Sequence, residues 1–210
     1  MSANSESFFR HKHLFIFLKQ WDVDCDGVLS AEDFDLLAQR YAIYQRHGKF
    51  EKDVVDRWRA IVGGWWTNFT GAADANHDKS ITFDEWIGFF NNLALTTKSH
   101  ADLPEFLKMY LKISFTYIDF NKDGLFDIRD YRMLLASSNG DLRRADDAFN
   151  SMLREQEKKN GTLTSDRYYE LMYNFWTSKD PNSPGRYICG IYDYLPLEKL
   201  EHYRGLLINK

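Results

Sequence analysis

One twelve-residue pattern, repeated along the chain, limits its fold more than any other feature. In the segment 119–130, Asp119, Asn121, Asp123, Asp127 and Asp130 place oxygen side chains at positions 1, 3, 5, 9 and 12, with Gly124 at position 6. A hard divalent cation takes six to eight oxygens at about 2.3–2.6 Å, and one short segment converges them only by turning sharply in its middle, which glycine permits. The backbone carbonyl of Leu125 at position 7 adds a further oxygen. Phe126 at position 8 turns its ring from the metal and offers its backbone to a partner loop. This is the loop of an EF-hand, and one implies another, because hands pair to shelter that short β contact.

The pattern recurs twice upstream. Leu14, Phe17, Leu18 and Trp21 lie at helical spacing and predict an amphipathic helix over about 7–21, leading into the loop 22–33. There Asp22, Asp24, Asp26, Ser30 and Asp33 supply side-chain oxygens, Val28 a carbonyl, and Gly27 the turn. Ser30 and Asp33 also read as a capping box that starts the exiting helix of Phe34, Leu37, Tyr41 and Tyr44. After a polar link at 45–49, a second helix carries Val54, Trp58, Ile61, Val62, Trp65, Trp66 and Phe69; Gly63 and Gly64 inside it suggest a kink or a close helix crossing. It enters the loop 74–85, with Asp74, Asn76, Asp78, Thr82 and Glu85 as side-chain ligands and the carbonyl of Ser80. Lys79 replaces glycine at position 6 and must accept a positive φ, which weakens the site without forbidding it. The exiting helix of Trp86, Ile87, Phe90 and Leu93 fades at 96–100, a natural boundary between halves.

Beyond Leu103-Pro104, Leu107, Tyr110, Leu111, Phe115 and Ile118 lead into the loop 119–130, and Tyr131, Leu134 and Leu135 leave it. Asn139-Gly140 reads as a turn before the stripe of Leu142, Ala145, Ala148, Phe149 and Met152. A fourth loop in register covers 156–167 with Leu163 at position 8, but Lys158 at position 3 and Arg167 at position 12 put cations where a metal needs anions. A paired, metal-free hand is expected, with Leu163 against Phe126 and Tyr168, Leu171, Met172 and Phe175 in the core. The fold expected is all-α: two pairs of hands in a compact globule, at 1–97 and 98–178, with a tail over 179–210 packing on the body.

The rest of the composition narrows the class. No apolar run in the 210 residues is long enough to span a bilayer, and the first residues lack both a secretory apolar core and a Met-Gly start, so a soluble cytoplasmic protein is expected. Cys25 and Cys189 are expected as free thiols. A formal charge of −4 speaks against nucleic acid as a partner. His11, His13, His47, His77, His100 and His202 form no metal-like cluster and are expected at the surface or in caps, while the six tryptophans read as core. No nucleophile with its base, phosphate-cradling loop or zinc spacing appears, so no catalysis is expected.

Taken together, these loops resemble the family of sarcoplasmic calcium-binding proteins and calexcitins over nearly the whole chain. The resemblance rests on loop starts at 22, 74, 119 and 156, the long first interval, the dead fourth loop, Asp33 closing the first loop, Lys79 in the second, and the tail of Phe175-Trp176-Thr177-Ser178 and Pro184-Gly185-Arg186-Tyr187-Ile188-Cys189-Gly190. It implies cytosolic calcium and magnesium binding without catalysis, and gives no role to residues 191–210. Asp130, where Glu is commoner, departs from the pattern.

At the coordinating positions loops one and three each offer four carboxylates and loop two offers three (Asp74, Asp78, Glu85), so charge favours the first and third for affinity. An Asp at position 12 tends to give one oxygen, which suits the six-coordinate shell of magnesium at about 2.0–2.1 Å. Calcium at three sites is therefore expected, with magnesium competing at 22–33 and 119–130 and loop two more calcium-selective. Five Met against 16 Phe, 12 Tyr and 6 Trp favour a closed, stiff core, hence a monomeric buffer or signal modulator. The alternative is a sensor that exposes an apolar face to a protein target. The calcium-triggered coelenterazine photoproteins share the architecture but rely on a metal-binding fourth loop and a C-terminal proline, where this chain has Arg167 and Lys210.

Overall fold

Each of the four loops lies between two helices, and the loops join in twos through position 8. The computed structural model describes residues 3–137 and 140–208. In chain order the elements are α1 (Ala3–Ile16), extended by a π turn over Phe17–Trp21, α2 (Ala31–Gln45), α3 (Lys52–Ala73), α4 (Phe83–Thr96), α5 (Glu105–Ile118), β1 (Leu125–Asp127), α6 (Ile128–Ser137), α7 (Ala145–Met152), β2 (Thr162–Thr164), α8 (Ser165–Thr177) and α9 (Leu197–Leu207). Asn139 lies outside the described residues; Gly140 closes α6 by donating its N–H to the Leu135 carbonyl at 2.7 Å.

The chain divides into two compact units that are not contiguous in sequence. One joins 14–90 with the residues from 197 onward; the other joins the residues up to 13 with 91–196. Loops 22–33 and 74–85 fall in the first, 119–130 and 156–167 in the second.

In the first unit Leu29 and Ile81, both fully buried, exchange two backbone hydrogen bonds of 2.9 Å as an antiparallel bridge. Beneath them Trp86, 1% exposed, meets the rings of Phe17, Phe69, Phe90 and Trp21 at 4.8–5.8 Å. Such edge and tilted ring contacts add directionality to the burial of large apolar area. Gly63 and Gly64 do not serve a close crossing: α3 runs unbroken over 22 residues, and a Cβ at either position would meet nothing within 4 Å. Instead Thr67 and Asn68 donate to their carbonyls at 3.0 and 2.7 Å. The chain from residue 197, part of the stretch to which the sequence gives no role, completes this unit: α9 buries Leu200 and Leu207, stacks Arg204 over the Phe83 ring and brings Ile208 onto Gly27.

In the second unit β1 and β2 pair antiparallel with Phe126 opposite Leu163, as expected, and both are fully buried. The Phe126 ring meets Tyr131, Phe149 and Tyr168 at 5.8–6.2 Å. The turn-rich segment after α8 is fastened from within: Tyr131 donates to the Tyr187 carbonyl at 2.8 Å, and Arg144 grips Asp193 with two bonds of 2.6 and 3.1 Å. Gly185 is obligatory there, since a Cβ would lie 2.2 Å from the Leu171 carbonyl oxygen. His13 is a correction to the expectation of a surface or capping histidine. It is fully buried, its Nε2 3.1 Å from the Trp176 carbonyl and its ring against Phe9 and Phe175. Its neighbour Lys12 is fully buried too, donating to the Ser178 carbonyl at 2.6 Å with three phenylalanine rings around its Nζ. Both cysteines are free thiols. No helix among the described residues is long and apolar enough to cross a membrane.

Candidate metal centres

Three loops share one hydrogen-bond scaffold. The carboxylate at position 1 accepts from the N–H groups of positions 5 and 6: Asp22 from Asp26 and Gly27 at 3.0 and 3.1 Å, Asp74 from Asp78 and Lys79 at 3.3 and 2.9 Å, Asp119 from Asp123 and Gly124 at 3.2 and 2.9 Å. The position 3 oxygen of Asp24, Asn76 and Asn121 accepts from the position 5 N–H at 3.0–3.1 Å. Position 5, Asp26, Asp78 and Asp123, accepts from the N–H of Val28, Ser80 and Leu125 at 2.8–3.0 Å. The position 12 carboxylate closes each loop by bridging positions 2 and 9: Asp33 takes Val23 and Ser30, Glu85 takes Ala75 and Thr82, and Asp130 takes Phe120 and Asp127, at 2.6–3.0 Å. Every carboxylate therefore has its orientation fixed by backbone N–H groups, as a site made before its ligand arrives requires.

This geometry forces the backbone into the left-handed region twice per loop. Position 6 takes φ of 89° at Gly27, 69° at Lys79 and 79° at Gly124, so the predicted accommodation at Lys79 is real. Position 4 does the same without glycine, at Cys25, His77 and Lys122 with φ of 59–61°. Sequence reasoning missed this second strained position, because no glycine marks it.

The loops differ in how well a cation suits them. In loop one, single oxygens of Asp22, Asp24 and Asp33 lie within 4.8 Å of one another, and none of these acids is paired with a base among the described residues. Burial, with Asp33 and Asp26 close by, pushes Asp22 up to about 6 against the backbone bonds it accepts, and burial raises Asp33 as well. Crowded, desolvated carboxylates of this kind fit a divalent cation, which would be held by Asp22, Asp24, Asp26, Asp33 and the Val28 carbonyl, with Ser30 at the exit. Ser30 also forms the predicted capping box, its side chain accepting from Glu32 N–H at 3.1 Å. In loop two Asn76 and Ser80 donate to Asp78 at 2.8 and 2.7 Å; the Ser80 bonds hold that carboxyl below its usual range. In loop three Asn121 donates to Asp123 at 2.8 Å, while Asp127 is turned away as the cap of α6. Arg129 grips its carboxylate at 2.7 and 2.9 Å; burial acts to raise Asp127, but these bonds prevail and hold it low. In loop three Asp119, Asp123 and Asp130 are then the acids that no base grips, and among the described residues only the loop-one acids converge within 4.8 Å.

The fourth loop has none of this scaffold. Its first half winds into a 3-10 turn over Glu157–Lys159, although Gly161 keeps a φ of 66° at position 6.

Helix-loop-helix hands joined in pairs at position 8 define an EF-hand protein. Within that class the chain's homologues are the sarcoplasmic calcium-binding proteins. Sarcoplasmic calcium-binding protein 1 of Astacus leptodactylus is 28% identical over 178 residues, 84% of this chain and 92% of that protein. Calexcitin-1 of Caenorhabditis elegans is 23% identical over 130 residues, 61% of each chain. No family model matches the sequence. Among solved structures, an amphioxus sarcoplasmic calcium-binding protein shares the fold with a TM-score of 0.75 at 23% identity, covering 88% of this chain and 97% of that one. Calcium-loaded apo-aequorin from Aequorea victoria does so with a TM-score of 0.58 at 20% identity, over 84% and 93%.

Proposed function

We propose that this protein binds calcium at loops 22–33, 74–85 and 119–130, leaves the fourth hand metal-free, and acts in the cytoplasm as a non-catalytic calcium and magnesium buffer or signal modulator. The observation that carries the reading is the hydrogen-bond scaffold common to three loops and absent from the fourth. The names of the relatives as calcium-binding proteins support it, and so do cores filled with aromatic rings in edge and tilted contact rather than pliable methionine. Asp33 and Asp130 favour magnesium competition at the first and third loops, and Glu85 favours calcium at the second. Because Arg129 occupies Asp127, loop one takes the higher affinity of the two mixed sites. Calorimetric titration with and without millimolar magnesium tests this. Three calcium ions, with two sites weakened by magnesium, are expected; loss of affinity chiefly at loop 74–85 would reverse the selectivity. Strong calcium-dependent binding of an apolar dye would replace the buffer with a sensor.

A further inference from the structure

In the three acidic loops the closing contact is a carboxylate at position 12 reaching back to position 2. The fourth loop lacks that bond and joins the same two positions by a side-chain ion pair instead. Arg167, 8% exposed, stands at position 12, and its Nε lies 3.4 Å from Glu157 Oε1 at position 2, an ion pair without hydrogen-bond alignment. The other guanidinium nitrogens donate to the Met152 carbonyl at the end of α7 (3.2 Å) and to Glu170 Oε2 in α8 (2.9 Å). Glu157 uses its second oxygen to accept from Arg154 N–H at 2.7 Å, and the Arg154 side chain donates to Glu170 at 2.7 Å. One buried cation thereby joins the entering helix, the start of the loop and the exiting helix, the three parts that a bound ion would join.

We propose that Arg167 is the resident cation of the fourth hand, standing in for a metal and acting as a positioning residue for loop 119–130. With the loop held shut by its own side chain, Leu163 presents its backbone to Phe126 at every calcium level. Loop three then has a formed partner before its ion arrives, so less of the binding free energy goes into ordering the pair. The proposal rests on calcium binding at loop three for its second half only, which allows the two to be tested apart.

The test uses the full chain and the variants Arg167→Met, Arg167→Lys and Glu157→Gln. With chelator present, amide hydrogen exchange at Phe126 and Leu163 is expected to rise about tenfold or more in Arg167→Met, less in Glu157→Gln, and little in Arg167→Lys, which keeps the cation. Calcium titration is expected to show loop three weakened about tenfold in Arg167→Met, with loop one unchanged. Unchanged exchange and unchanged affinity in both Arg167→Met and Glu157→Gln would overturn the proposal, as would equal losses in Arg167→Lys and Arg167→Met. Should Arg167→Met fail to fold, Glu157→Gln carries the same comparison. A wild-type protein that takes no calcium at loop three would refute the calcium reading there and leave the exchange result standing.

Discussion

Single side chains set how this protein responds to protons. Asp22 sits near 6 because it is buried, so the stability it contributes to the metal-free state is present below its ordinary value near 3.8 and lost as pH rises through about 6. Between pH 4 and 7 the difference in stability between wild type and Asp22→Asn should change by on the order of 1–2 kcal/mol, read by denaturant melts with chelator. His13 works in the opposite sense, since burial drives its pKa well below 6.5 and acid costs stability there; comparing the two chains removes that contribution. Burial likewise lowers Lys12 to about 7, so an unfolded chain takes up a proton that the folded one refuses, and stability should rise from pH 7 to 9. Lys12→Met should flatten that rise. The acids of the loops were legible from spacing alone, as were the capping box at Ser30 and the positive φ at Lys79. The burial of His13 and Lys12 was not, because the Trp176 carbonyl that receives His13 comes from 163 residues away.

At the scale of elements, two kinds of glycine separate. Gly27 turns the first loop at φ 89°, and a Cβ there would come 2.6 Å from Ile208 Cγ2. Gly27→Ala should destabilise the protein by about 1–3 kcal/mol, measured by thermal melting, and should weaken the calcium binding proposed for loop 22–33 in titration. Gly63, exposed inside α3 with open space around it, should do the reverse: Gly63→Ala is expected to stabilise by about 0.5–1 kcal/mol. Periodicity placed α2 through α8 because each shows an apolar stripe, and position 8 announced the pairing of Phe126 with Leu163. What α9 packs against was illegible: its Leu200 and Leu207 give a sparse stripe, and the surface it covers belongs to a segment over a hundred residues earlier. The Gly63-Gly64 pair misled for a related reason, since sequence shows a missing side chain but not what stands opposite.

At the scale of the molecule, the order of the hands along the chain differs from the order in which the units can be completed. The sequence suggested halves divided near residue 97, each read from one continuous stretch. Contacts instead gather 14–90 with the α9 segment, and α1's first residues with 91–196. A chain ended after Pro196 should therefore melt lower and lose affinity at loop one before loop three, as followed by titration of the native tryptophan fluorescence.

The position of α9 also has a bearing on biosynthesis. A ribosome must make residues 91–196 between the first pair of hands and the helix that finishes their unit, a delay of about 5–20 s at ordinary elongation rates. Until then Gly27 faces solvent where Ile208 will later sit. A nascent chain is thus expected to acquire its first acidic loop in finished form only after the later-made pair of hands has had time to fold.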